Sequence, residues 1–235
     1  MAVITMTREM GSRGRDVALG VAERLGLEVI HDELVEHHLA EQMNVTESQV
    51  HRFLEGGGSL WDRWRINRSR LFRHTAVQIL EIAAAGHVLI RGWGATQLLR
   101  GCAGVLRVRV CAPMRFREDV LMARLAIDDR ELARQEIERN DAAHQSVVRK
   151  FFKDDWRKPE NYDMVLNTER MPIDVCVQHL VLTAQDPVFQ ESGHSRAMLV
   201  NKLSEIRNEE ATARLLRPTY SERQREARAE RKSRT

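Results

Sequence analysis

Between a short β-branched run and an amphipathic segment, the chain reads Glu9-Met10-Gly11-Ser12-Arg13-Gly14-Arg15-Asp16. Glycines at these positions let the backbone curl so that successive N–H groups point at one anion, and the dipole of a following helix adds positive potential. Arg15, at the helix start, is placed to reach a phosphate as a cation. Against the phosphate-loop pattern G-x-x-x-x-G-K-[ST], Glu9 stands for the first glycine, Arg15 for the lysine and Asp16 for the hydroxyl residue. Gly11, Ser12, Arg13, Gly14, Arg15 and Asp16 are thus the candidates for holding a polyphosphate. The same residues also suit a tight turn into a helix that holds no ligand.

Other chemically capable residues have plainer readings. Arg63, Arg65, Arg68, Arg70 and Arg73 interleave with Trp61, Trp64, Leu71, Thr75, Ile79 and Ile82 at helical spacing, which describes a solvated face behind an apolar one. Trp61 and Trp64 suit core packing or a contact in a homodimer. His37-His38 reads as a helix surface feature, and Cys102, Cys111 and Cys176 as reduced thiols, since neither has metal-ligand spacing. No residue is assigned as a metal ligand.

The elements that must position the loop follow from periodicity. Val3–Thr7 predicts a strand, and Val17, Val21 and Leu25 a helix stopped by Gly26. Helices are expected over Asp32–Met43, Glu47–Glu55 and Trp61–Ala85. Strands follow at His87–Ile90 and Leu106–Cys111, then helices at Phe116–Arg124 and Asp129–Phe152. A last strand at Met164–Leu166 precedes a helix that starts at Pro172 and runs to about Leu182. Leu199, Leu203 and Ile206 give one more amphipathic helix, packed on the body or on a second copy. Strands separated by helices argue for an α/β fold with a parallel sheet covered on both faces.

The chain has 235 residues, 43% hydrophobic and 30% charged, enough for one sizeable core and a tail. Neither a membrane span nor a signal peptide is expected, and a cytoplasmic location is. The formal charge is +3. Removing the six basic and three acidic residues of Pro218–Thr235 from totals of 37 and 34 leaves 31 of each. The folded body is therefore neutral, and nucleic acid is not an expected partner for it.

From its first residues to about Leu182 the chain resembles the cytidylate-kinase-like family. Thr7-Arg8-Glu9-Met10-Gly11-Ser12-Arg13-Gly14-Arg15 is similar to that family's loop after the first strand, and Asp32 to an aspartate near the start of its next helix. Gly92-Trp93-Gly94-Ala95, Cys111-Ala112-Pro113-Met114-Arg115-Phe116-Arg117, Trp156 and Tyr162-Asp163-Met164-Val165-Leu166-Asn167-Thr168 match further motifs in order. The resemblance implies a P-loop NTPase-type domain over 1–186 with a helical lid at about 114–160, then a C-terminal helical extension over 187–217 and a basic tail over 218–235. It also implies transfer of the γ-phosphoryl of ATP, with Mg²⁺, to a nucleoside monophosphate such as CMP. In that scheme the loop from Gly11 to Arg15 cradles donor phosphates, with Arg15 in place of lysine. Asp32, Gly92, Trp93 and Gly94 border the acceptor nucleotide. Arg115, Arg117 and the helix bearing Asp141 and Arg149 close over the phosphates and exclude water.

The chain departs from the family at three positions. Trp93 replaces an arginine between the glycines, His144 stands where a lid arginine is usual, and Arg13 takes a glycine's place in the loop. The absent loop hydroxyl leaves Mg²⁺ without its usual ligand there, with Ser12, Asp16 or a carboxylate elsewhere as substitutes. Beside the kinase reading stand a P-loop protein that binds a nucleotide or phosphorylated ligand without turnover, and an assembly protein on the same fold. Since an indole cannot neutralise a phosphate, Trp93→Arg should raise phosphotransfer to CMP by about tenfold to a hundredfold, the worth of one charge-assisted contact made in the transition state. A folded variant with unchanged CMP turnover would contradict this.

Overall fold

A computed structural model describes residues 2–30, 68–92 and 94–215. Val3–Arg8 forms β1, and its first residues are buried on both faces. Covering both faces of a strand requires a layer on each side, and parallel neighbours supply the helices that make those layers. Five strands pair in the order β2-β3-β1-β4-β5, all parallel, with β2 at Glu28–Ile30, β3 at Val88–Arg91, β4 at Val105–Cys111 and β5 at Met164–Asn167. β1 is central. Its carboxyl end, where the glycine-bearing loop begins, lies between β3 and β4.

One face carries α1 (Gly14–Leu25). Ile4, Met6, Val17, Val21, Leu89, Leu106 and Val108 share a core there with Cys176, Val177 and Leu180. The opposite face carries α2 (Arg68–Ala85) and the short α3 (Ala95–Leu98), with Val3, Ile79, Leu80, Val88, Ile90 and Val105 between them and the sheet. After β4 come α4 (Met114–Leu125) and α5 (Arg130–Phe152), an antiparallel pair with a small core of its own, Leu121, Ala133 and Ile137. Asp129 caps α5 by accepting from the N–H groups of Glu131 and Leu132. Buried Glu118 on α4 accepts from Arg130 and Arg134, locking the pair at that end.

The chain closes with α6 (Ile173–Gln185) on the α1 face and α7 (Gly193–Leu215) along α2. Leu199 and Leu203 join the core beneath α2, so the last amphipathic helix packs on the body of its own chain. No helix among the described residues is long and apolar enough to cross a membrane.

Two elements were not expected. β2 is three residues long and opens on a charged residue, and α3 is a single turn, so neither carries a period that patterning resolves. The expected helices at Asp32–Met43 and Glu47–Glu55, and the start of the one from Trp61, lie outside the described residues.

The α1–α6 contact is tight enough to oppose helix propensity. Gly20 lies inside α1, where alanine is better by about 1 kcal/mol. A Cβ there would sit 2.8 Å from Cγ2 of buried Val177, and a stiff β-branched neighbour makes overpacking cost about 1–3 kcal/mol. Gly20→Ala should therefore lower stability to urea in the natural background and raise it in Val177→Ala. Stabilisation in both backgrounds would show that α6 yields to α1.

Candidate active site

The loop after β1 is fastened from several sides. Glu9 N–H donates to Val110 O at 3.0 Å, and its buried carboxylate takes the Arg109 guanidinium on one oxygen and the Ala112 N–H, at 3.2 Å, on the other. The residue at the first glycine of the loop pattern is thus a buried anion that ties the loop to β4. Ser12 donates its hydroxyl to Val110 O at 3.2 Å, and Thr168, just past β5, donates to Ser12 O at 2.7 Å. Gly11 has φ 77°, and a Cβ on it would lie 2.4 Å from Arg117 O, so only glycine fits this approach.

Arg13 stands at the N-cap of α1 in the left-handed region with φ 57°, and no side chain caps the helix. The first turn of α1 therefore presents its N–H groups without a side-chain acceptor, the condition that suits a bound anion. Arg13 pairs with Asp16 at 2.8 Å, both about half exposed. Arg15 is exposed beside them. Asp16 occupies the place of the loop hydroxyl, while the Ser12 hydroxyl is turned onto β4. Polyphosphate fits this arrangement. Among the described residues no three His, Cys, Asp or Glu gather as a metal site, and Asp16 is an exposed carboxylate at the helix start for Mg²⁺, which ordinarily keeps few protein ligands.

Of the arginines expected in the lid, Arg115 and Arg149 are exposed. Arg117 is not. Its side chain, 5% exposed, donates from Nε to Met10 O at 2.7 Å and from its two terminal nitrogens to the Asp141 carboxylate at 2.9 and 2.8 Å, with a Glu9 oxygen 3.6 Å away. A guanidinium with all its edges engaged positions the loop and α5; in this state it does not face a phosphate. The Asp141 carboxylate accepts from both terminal nitrogens of Arg117.

α5 is held at its far end too. Phe151 stacks on Phe72 of α2 at 4.2 Å, and Phe152 meets the same ring edge-on. A Cβ on Gly94 would lie 2.7 Å from Phe152 Cε2, and Gly94 has φ 65°. Gly92, with φ 88°, donates to Met6 O at 3.1 Å. The turn after β3 thus sits beside β1, under the end of α5. Asp32 and Trp93 lie outside the described residues.

Between α5 and the sheet, His144 stacks on Trp156 with ring centres 4.5 Å apart, and the Arg109 guanidinium lies 5.2 Å from the Trp156 ring centre. Burial, reinforced by the charges of Arg8 and Arg109, lowers the His144 pKa to about 4, so the ring is neutral at pH 7. The Tyr162 hydroxyl donates to Trp156 O, and burial pushes its pKa up. Thr96 links the hydroxyls of Thr7 and Thr5 at 3.1 and 3.3 Å. His144 Nε2, Trp156 Nε1, Arg109 Nε, Gln145 Oε1 and both carboxamide heteroatoms of Gln97 are buried with no hydrogen-bond partner among the described residues. Each unpaired group costs about 1–3 kcal/mol, and native proteins leave few of them. Arg109 and Gln97 were not singled out from sequence. The signal for Arg109 was its place, two residues from Arg107, inside an otherwise apolar strand, where charge demands a partner.

A model of the cytidylate kinase-like family matches residues 3–170. No curated protein sequence matches the chain. Among solved structures, an uncharacterized protein from Eubacterium ventriosum ATCC 27560 is similar at TM-score 0.63 and 15% identity, over 79% of this chain and 99% of that one. This likeness shows the fold. A shikimate kinase from Acinetobacter baumannii is 14% identical over 80% of this chain and 96% of its own at TM-score 0.43. A gluconokinase from Sinorhizobium meliloti 1021 is 14% identical over 80% and 93% at TM-score 0.47.

Asp141→Asn tests the Arg117 bridge. It leaves a buried guanidinium short of its counter-charge, and should cost on the order of 2–3 kcal/mol in urea unfolding, below the figure for a fully buried pair because Asp141 keeps some water access. An unchanged midpoint would mean that the bridge does not hold α5 to the loop.

Proposed function

The chain belongs to the cytidylate kinase-like family, and on that premise we propose that it transfers the γ-phosphoryl group of ATP to a nucleoside monophosphate such as CMP. The observation that carries this reading is the α1 N-terminus. It lacks a side-chain cap, follows left-handed turns at Gly11 and Arg13, and stands at the carboxyl end of the central strand, where ligands of open parallel sheets bind. The N–H groups of this turn would hold the donor phosphates, with Arg15 on their exposed side. Mg²⁺, when bound, supplies a bridge between phosphate oxygens and neutralises their charge.

The remaining residues would orient and dehydrate. Gly92 and Gly94 keep the turn after β3 close to β1, so that an acceptor bordered by Asp32 and Trp93 meets the donor in line. Arg115 and Arg149, exposed on α4 and α5, would approach the transferring group when the lid settles. We place this domain in residues 1–186, with the lid at about 114–160 and the helical extension after it. Binding without turnover is the second reading, and His144 favours it: a neutral ring stands where a lid arginine would stabilise developing charge.

ADP release measured across the nucleoside monophosphates tests the proposal. Turnover on at least one of them is expected, and tight nucleotide binding with none would favour the second reading. Arg15→Ala should weaken ATP binding by about 1.5–3 kcal/mol, the worth of a charge-assisted contact. Arg15→Lys should recover part of it, as a point charge replacing a fork. Unchanged affinity in Arg15→Ala would remove Arg15 from the donor site.

A further inference from the structure

His144 lies one helical turn after Asp141, which Arg117 bonds to the loop at Met10 O. Residues three apart share a helix face, so His144 is directed at the same end of the sheet as the loop. Its Nε2 is buried and unpartnered, and the ring is held in place by its stack on Trp156. Arg8, the last residue of β1, runs beneath Gly14, where an added Cβ would meet its Cβ at 2.7 Å. Arg109 approaches the same indole from β4. We propose that binding of a phosphoryl group in this site is coupled to protonation of the His144 ring, which supplies on demand the positive charge that a lid arginine would carry permanently. The idea rests on the phosphate-binding reading of the site and adds to it a dependence on pH.

The charged groups on the surrounding elements set the direction. On α5, Asp141 is tied to Arg117 of α4. From β1 and its loop come Arg8 and Glu9, the latter tied to Arg109 of β4. In the segment after α5, Asp154 is held by Arg100 and Lys158, and Asp155 by Arg157. α3 brings no charge. Against that background Arg8 and Arg109 act on His144 and oppose a further positive charge. A dianionic phosphoryl group among these side chains reverses the balance. It offers Nε2 an acceptor, offsets the two arginines, and favours the imidazolium, with the proton drawn from solvent. The free ring titrates near 4 and the occupied ring higher. Affinity therefore rises as pH falls from the occupied midpoint towards the free one, by about tenfold per pH unit.

The test is the imidazole ¹⁵N titration of His144 by NMR, in the free protein and with saturating pyrophosphate or ATP and Mg²⁺. The expected result is a midpoint raised by about one pH unit or more when either anion is bound. Binding isotherms from pH 5 to 7.5 give the second readout. His144→Gln should keep only the pH dependence of the ligand's own ionisation, and His144→Arg should bind at least as tightly as the natural protein at neutral pH, with no protein-linked proton uptake. A midpoint unmoved by either anion, equal pH dependence in His144→Gln, or failure of both anions to bind would overturn the inference. ADP release separates the two proposals. Turnover with an unmoved His144 sinks this one alone, and a responsive His144 without turnover sinks only the kinase reading.

Discussion

One guanidinium, that of Arg117, joins the parts that have to act together. It reaches from the first turn of α4 to the loop carbonyl of Met10 and to the Asp141 carboxylate on α5. The loop after β1 is distant in sequence from α4 and α5; Met10 of the loop packs on the α4–α5 core of Leu121, Ala133 and Ile137, and Phe152 at the end of α5 packs on the core that contains Val3. A buried ion pair contributes little net stability, yet its geometry admits few alternatives, and here it sets the height of α5 above the loop.

The same arrangement redistributes charge. In a phosphoryl-transfer site, cations directed at the reacting group do most of the work. This chain commits Arg117 to the scaffold, engages Arg109 with buried Glu9, and places a neutral ring at position 144. Among the described residues, Arg15 is exposed beside the uncapped turn of α1, and Arg115 and Arg149 are exposed on α4 and α5. Among the described residues, Gln97, Gln145, Trp156 and His144 keep buried polar atoms without a hydrogen-bond partner.

Much of the fold was legible in the sequence, because its strands are β-branched runs and its helices carry apolar residues at three- and four-residue steps. β1, β3, β4, β5 and the helices α1, α2, α4, α5, α6 and α7 follow from that pattern. β2 did not, since three residues beginning with Glu28 have no readable alternation and are held by pairing with β3. In the site, the order of motifs pointed to the loop after β1, the Gly92–Gly94 turn and the segments that form α4 and α5. It could not distribute the arginines. Arg115 and Arg117 stand two residues apart in one motif, yet one is solvent-exposed and the other buried, because only the latter faces Met10 and Asp141. Partner choice of this kind is a long-range contact, invisible to local spacing.

The central claim is that the loop after β1 receives a polyphosphate on the uncapped start of α1. Backbone amide shift mapping tests it directly, by titrating ATP with Mg²⁺ into the ¹⁵N-labelled full chain. The largest perturbations are expected at the amides of Gly11, Arg13, Gly14 and Arg15, with smaller ones along α5 near His144. Saturable binding whose shifts fall elsewhere and leave these amides still, or no binding of ATP at all, would contradict the account.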